Sequence, residues 1–349
     1  MATQNPIVAE LLEASAAGFA SAASVRLQES TQPASLTWPN AEWKAHLTQR
    51  ILELATAVRV EEPALFTRRV TWLRRAMKAR GADESLLRAA LESLRDALKE
   101  ELPAPLCAAV EDPIRLALES LDQEVEPDIQ ALDGATTTGR LGLKYLHACL
   151  EANTEDAKAM IMKALDDGLA PRDAYSKVLL PAQQEIGQLW HVGDVSVGEE
   201  RLVSATTREL MTLIVDRYAP QPDDKRTVVL ASVAGNAHDI GLRAVGDQFR
   251  LGGWRVIFLG ADMPAEEIAR AANSFDAGLI VLSATLTTHL RNLGATIEHV
   301  RQLAAGARIL VGGLALTDAP DLWQQLGADG YARSIDEAVV VAAKLLEDT

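Results

Sequence analysis

His238 is the side chain most suited to coordination chemistry in this 349-residue sequence. It lies in Val233-Ala234-Gly235-Asn236-Ala237-His238-Asp239-Ile240-Gly241, directly after a run of β-branched residues. An imidazole so placed can ligate a metal through one nitrogen while a neighbouring side chain holds the other. Further along, Ser283-Ala284-Thr285 offers two small hydroxyls, and Gly312-Gly313 leaves room for a ligand to approach the backbone. The sequence holds no standalone catalytic triad, phosphate loop or zinc cluster, and neither Gly252-Gly253 nor Gly312-Gly313 is a nucleotide fingerprint.

Something must bring these groups to one place, and residues 226–349 have the grammar for it. Short apolar runs occur at Thr227 to Val233, Arg255 to Leu259, Ala277 to Leu282 and Arg308 to Val311. A weaker strand at Gly330 to Ala332 carries Tyr331. Amphipathic helical stretches separate them, which predicts a doubly wound parallel sheet with helices on both faces. Such sheets bind ligands outside the carboxyl ends of their strands, where His238, Ser283, Thr285 and the glycine pair all fall.

The remaining sequence is helical in pattern. From about Pro6 to Asp133, apolar residues recur at three- and four-residue spacing, as in Leu47, Ile51, Leu54 and Val58, or Leu65, Val70, Leu73 and Met77. Breaks at Thr37-Trp38-Pro39, Glu62-Pro63, Arg80-Gly81-Ala82-Asp83 and Leu102-Pro103 predict four or five helices, with Asp83 and Ser85 as caps. The spacer Gly134-Ala135-Thr136-Thr137-Thr138-Gly139 opens a second helical zone. Pro171, Pro181 and the Gly193 to Gly198 turn divide that zone into about four helices, and Pro220 to Lys225 has the composition of a linker. Three domains are expected: 1–133 all-helical, 134–219 a four-helix bundle, and 226–349 the α/β domain.

The spacing of the three loop signals resembles the cobalamin-binding domain shared by methionine synthase, corrinoid methyl carriers, mutases and light-responsive cobalamin repressors. That family carries D-x-H-x-x-G, S-x-L and G-G; here 41 residues separate Gly241 from Ser283, and 26 separate Thr285 from Gly312. The resemblance implies a flavodoxin-like sheet with His238 as the lower axial ligand to cobalt. It places the displaced nucleotide tail beside Ser283, Thr285, Gly312 and Gly313, with Asp239, Gly241 and Tyr331 in the same cofactor set. Asn236 stands where the family has Asp, so the partner of His238 can accept a hydrogen bond but carries no charge. Thr285 replaces Leu.

In this family a four-helix bundle often covers the upper face of the corrin, and Pro181 to Asp194 is similar to part of it. Light-sensing members have a Trp followed about nine residues later by Glu-His. Trp190 and Glu200 match; Arg201 replaces the His, and a guanidinium cannot take its place as a metal ligand. The resemblance implies adenosylcobalamin shielded by Trp190. His191 is a further imidazole beside it.

In the first zone Arg68, Arg69, Arg74, Arg75, Lys78 and Arg80 crowd one helix around Trp72. The bland reading is a solvated face with Trp72 turned to the core. The other is a pocket in which arginines hold carboxylates and Trp72 packs on an extended π-system. A helical sensor ahead of a capped cobalamin domain is similar to photocobilins, which pair cobalamin with a bilin. That resemblance implies biliverdin held by Trp72, Arg68 and Arg75, with Cys107 and Cys149 as the only thiols for a covalent link.

Composition narrows the classes. With 48% hydrophobic and 24% charged residues the chain is ordinarily globular. Two cysteines fit a reducing compartment, and the cytoplasm is expected. The formal charge of −15, and −6 over residues 1–130 (14 basic against 20 acidic), speaks against nucleic acid and anionic membranes as partners. Met1 to Ala23 lacks the basic start of a signal peptide. The expected protein is a non-enzymatic cobalamin photoreceptor that signals by light-dependent homo-oligomerisation or through a separate effector. A corrinoid methyl carrier is the alternative. A mutase is disfavoured for want of a substrate barrel.

Overall fold

A computed structural model describes residues 5–31, 40–79, 83–123, 131–317 and 319–347. The predicted breaks at Thr37 to Pro39 and Arg80 to Ala82 lie outside the described residues. The chain divides into two compact units, Met1–Pro127 and Asp128–Thr349.

The first unit is helical: α1 (Asn5–Ala14), α2 (Ala16–Ser30), α3 (Asn40–Arg59), α4 (Pro63–Ala79), α5 (Glu84–Glu101) and α6 (Ala104–Ser120). Leu47, Ile51, Leu54 and Val58 are all buried, as are Leu65, Val70 and Met77; Leu73 is half-buried. Asp83 caps α5 by accepting from the Ser85 N–H at 2.9 Å. Among the described residues six helices stand where four or five were expected, because α1 and α2 meet at a 75° bend over Ser15. No proline marks that bend; Ser15 leaves helical geometry with φ −111° and ψ 11°, and the small residues Ala16, Ala20 and Ala23 after it are buried.

The second unit begins with α7 (Thr137–Leu150) and α8 (Thr154–Asp166). Thr136 caps α7 by accepting from the Gly139 N–H at 2.9 Å. Next comes one long helical segment: α9 (Pro171–Ala174), a π-turn at Tyr175–Leu179, and α10 (Leu180–Val192). Pro181 does not divide it as expected. The wide turn absorbs the proline, with the Leu180 N–H reaching back five residues to the Tyr175 carbonyl. Gly193 in the left-handed region ends α10, and a Ser196–Glu199 capping box starts α11 (Val197–Tyr218). Tyr145, Cys149, Ile161, Val178, Ile186, Val203, Leu210 and Ile214 form the bundle core.

The sheet contains β1 (Asp223–Val233), β2 (Trp254–Met263), β3 (Leu279–Ser283), β4 (Arg308–Gly312) and β5 (Gly330–Ala332), all parallel in the order β2-β1-β3-β4-β5. Helices α12 (Ile240–Leu251), α13 (Ala265–Ser274), α14 (Leu290–Leu303), α15 (Leu314–Thr317), α16 (Leu322–Gln325) and α17 (Ile335–Glu347) connect and cover it. This is the flavodoxin-like order, with its switch point between β1 and β3. The polar stretch read as a linker partly joins the sheet: the Asp223 N–H donates to Gly253 O at 2.8 Å, so β1 starts there. Among the described residues, no single helix is long and apolar enough to cross a membrane.

Candidate functional site

The loops after β1, β3 and β4 converge because their strands are neighbours in register: Ser232 faces Ser283, and Ser283 faces Gly312. Asn236 is fully buried between two of them. Its Nδ2 donates to Ser283 O at 3.1 Å, which fixes the amide and turns Oδ1 toward the histidine. That oxygen accepts from the His238 backbone N–H at 3.1 Å and from its ring Nδ1 at 3.2 Å. A carboxamide oxygen only accepts, so Nδ1 carries the ring proton and Nε2 keeps its lone pair outward. Burial of the packed side, with Arg201 adding to it and Glu200 and Asp239 opposing, holds His238 below the ordinary imidazole range. A neutral ring with an open Nε2 is what a metal ligand requires.

The β1 loop is clamped from every side. The Gly235 N–H donates to Asp262 Oδ1 at 2.6 Å, and Asn292 Nδ2 donates to Ala234 O at 2.7 Å. A residue that sequence reasoning passed over, His289, is buried beneath it: Nδ1 accepts from the Leu286 N–H at 3.1 Å, and the ring bonds the Gly235 backbone. Both nitrogens are engaged, so His289 supports the loop and is not a second ligand. The only signal for it was a histidine four residues past Thr285.

The glycines divide into two kinds. A Cβ at Gly313, where φ is +104°, would collide with the Ala284 carbonyl, and one at Gly312 would lie 3.2 Å from Ala332 O. Gly313 is therefore required by the packing of the loops themselves and Gly312 sits tightly in it, a use beside the expected one of letting a ligand approach the backbone. Gly241 is different. It sits at the exposed start of α12, and a Cβ there would meet nothing within 4 Å. A glycine in a helix interior costs up to about 1 kcal/mol relative to alanine and less at this second position, and among the described residues no contact explains it. The open imidazole nitrogen and this vacant Cβ position suit a large cofactor laid against the sheet edge. Thr285 is half-buried and Tyr331 is half-buried on β5, opposite Val311.

Helix α11 joins the bundle to this edge. Arg208 donates two hydrogen bonds to Asp239 Oδ1, at 2.8 and 3.2 Å, so Asp239 anchors the motif to the bundle. Arg243 donates to Thr212 Oγ1 at 2.7 Å, and the Tyr175 hydroxyl donates to the buried Asp247 carboxyl at 2.9 Å. Trp190 is 42% exposed near the end of α10. Glu200 accepts from Ser204 Oγ at 2.7 Å, while Arg201 extends outward with its Nε 3.7 Å from the same carboxylate.

In the first unit the basic residues of α4 largely serve the unit itself. Arg69 donates to the buried Glu53 at 3.3 Å and stacks over Trp72 with its guanidinium carbon 4.4 Å from the ring. Arg74 pairs with Glu84 at 2.5 Å and bonds the Gln123 carbonyl at 2.8 Å. Arg68 is exposed, Arg75 half-buried, and Trp72 is 37% exposed rather than turned to the core; Arg80 lies outside the described residues. A groove of about 470 Å³ between α5 and α6 is lined by Arg88, Arg95, Lys99, Cys107 and Arg115 among others, without Trp72. Cys149 is buried in the bundle core, which raises its thiol pKa.

Residues 226–340 match a B12 binding domain, and residues 143–214 match a second model also described as a B12 binding domain. A corrinoid protein of Desulfitobacterium hafniense is 28% identical over 206 residues, 57% of this chain and 94% of that protein. Dimethylamine corrinoid protein 3 of Methanosarcina acetivorans is 28% identical over 58% of this chain and 96% of its own length. The HTH-type transcriptional repressor CarA of Myxococcus xanthus is 30% identical over 52% of this chain and 62% of its own length. The structure of the Methanosarcina barkeri monomethylamine corrinoid protein aligns with a TM-score of 0.51 and 20% identity, over 60% of this chain and all of that one. The matched domains support cobalamin binding, and the solved structure supports the fold.

Proposed function

We propose that this chain is a light-sensing cobalamin receptor in which His238 is the lower axial ligand, replacing the cofactor's own base. The Asn236–His238 pair carries the assignment: it fixes the tautomer, leaves Nε2 open, and rests on a fully buried amide held in place by Ser283. Ser283, Thr285, Gly312 and Gly313 line the slot for the nucleotide tail, Gly241 gives the corrin edge room, and Tyr331 borders the slot. Trp190 and Glu200 face the upper ligand, taken as 5′-deoxyadenosyl. Bound adenosylcobalamin supplies a cobalt–carbon bond that light can break. Biliverdin is the proposed second chromophore, with Trp72, Arg68 and Arg75 on one face of α4. The output is a change in self-association or in contacts with a separate effector, and the chain is not an enzyme by itself.

A corrinoid methyl carrier is the second reading. The span of relatives named corrinoid proteins favours it, since this chain covers 94% and 96% of two of them. In that reading the first unit is an addition to a carrier core, and partner methyltransferases replace light as the input.

One experiment separates the readings. The full chain is loaded with adenosylcobalamin in darkness, with and without biliverdin, then illuminated while absorbance and elution volume are followed. The receptor reading expects a spectral change with a shift in elution volume, and a red bilin band when biliverdin is present. A spectrum and elution volume indifferent to light overturn it. Methyl transfer from a donor to methylcobalamin on the chain would then establish the carrier.

A further inference from the structure

The bundle contains a line of polar side chains that its apolar core does not require. Tyr145 on α7 meets Thr207 on α11 at 2.9 Å, and Thr207 meets Gln183 on α10 at 2.7 Å. Gln183 meets Ser204 on α11 at 3.0 Å, and Ser204 meets Glu200 at 2.7 Å. Tyr145, Thr207 and Ser204 are buried.

Proton counting gives the line a direction. Ser204 has one hydroxyl proton to donate. If the Gln183 carbonyl takes it, the Ser204 oxygen and the Glu200 carboxylate oxygen face each other at 2.7 Å with no proton between them. Part-buried acceptors held so close without a donor are costly. A half-turn of the Gln183 amide, whose two ends are equal in size, removes the conflict. The amide then donates to Ser204, Ser204 donates to Glu200, Thr207 donates to the Gln183 carbonyl, and Tyr145 donates to Thr207. Each contact carries one proton, and every donor points toward Glu200. The Val203 carbonyl, which Thr207 otherwise reaches at 2.9 Å, keeps its own helical hydrogen bond.

We propose that Tyr145, Thr207, Gln183 and Ser204 form a one-way hydrogen-bond chain that positions the Glu200 carboxylate and couples any group against it to the packing of α7, α10 and α11. The coupling rests on the reading of Glu200 as an upper-face residue; the direction of the chain does not. Aligned hydrogen bonds polarise one another, so the inner oxygen of Glu200 is held firmly, while its other oxygen, with only the long 3.7 Å contact to Arg201, is left to meet an upper ligand. The four are positioning residues, since none reaches the space beside His238 directly.

Two measurements test this. In the full chain without cofactor, nuclear Overhauser effects from the Gln183 amide protons should reach the Ser204 β-protons; contacts to the Thr207 methyl group instead overturn the direction. In the loaded chain, the ratio of affinities for adenosylcobalamin and hydroxocobalamin should fall about tenfold in Ser204→Ala, the loss of one hydrogen bond to a charged group. Gln183→Glu should act similarly, because a carboxylate in mid-chain draws the Ser204 proton away. Tyr145→Phe, at the far end, should lower the ratio only about twofold. The absorption band of the His-ligated cofactor should stay unchanged in all three. An unchanged ratio in Ser204→Ala and Gln183→Glu, or a displaced band, overturns the coupling. A wild-type chain that binds neither cobalamin overturns the receptor reading, and the amide contacts still decide the chain.

Discussion

The loop that carries His238 and the arginine-rich helix α4 look equally chemical as sequence, yet the fold treats them differently. Around His238, residues drawn from positions 234 to 313 meet at one sheet edge, where some of their hydrogen bonds clamp the loop and Asn236 holds the imidazole in one tautomer. On α4, cations only five residues apart go separate ways: Arg69 to Glu53, Arg74 to Glu84 and the Gln123 carbonyl past α6. Crowding on one helix is a weak sign of a site, because neighbours on a helix point in different directions. Long-range spacing that a parallel sheet closes into contact is a strong one.

Substitutions in each region put that contrast at risk. The largest effect is expected in the first unit. Glu53 is buried between Arg50 and Arg69, so Glu53→Ala leaves two uncompensated guanidiniums and should cost about 3–5 kcal/mol in denaturant unfolding. A small change would mean that these arginines serve a ligand rather than the fold. At the sheet edge, His238→Ala should abolish the His-ligated cobalamin spectrum and weaken binding at least about a hundredfold, with little effect on stability. Retention of that spectrum would refute the ligand assignment. Asn236→Leu keeps the ligand but loses its orientation, and about a tenfold loss of affinity is expected by titration.

Acid should test the core of the first unit. His46 is pushed down from 6.5 to about 3, first by burial and then by the charge of Arg50. The unfolded chain binds that proton below pH 6.5 while the folded unit refuses it. Stability is therefore level above 6.5 and falls below it by up to about 1.4 kcal/mol per pH unit. Urea midpoints between pH 7.5 and 5 should show this, and His46→Gln should flatten the slope. The smallest effect is the most discriminating. Gly241→Ala should stabilise the cofactor-free chain by up to about 1 kcal/mol while weakening cobalamin binding. Unimpaired binding would show that the vacant Cβ position is not where the cofactor lies.

Much of the sheet was legible because strand residues alternate with amphipathic helices, and the edges of β3, β4 and β5 fell within two residues of expectation. Its first strand was cut short, since Asp223 and Asp224 are poor strand formers drawn in by a tertiary hydrogen bond. The bend at Ser15 was invisible because neither glycine nor proline announces it. At the site, the loops were legible and their supports were not. His289 and Asn292 act through backbone groups of another loop, and Arg208 reaches Asp239 from the bundle; sequence spacing cannot encode such contacts. The separate uses of Gly312, Gly313 and Gly241 likewise depend on which neighbours stand within reach.

The π-turn at Tyr175–Leu179 sets the angular phase of everything after it. One residue of an α-helix corresponds to about 100° of rotation. Removing a single residue from that turn would let the segment close into regular α-helix with no visible damage to its helical content. Gln183 would then be swung about a quarter-turn around the axis, away from Ser204, and Trp190 would turn with it. The wide turn is thus a phase adjuster: its length, rather than its composition, decides which side chains of α10 meet α11.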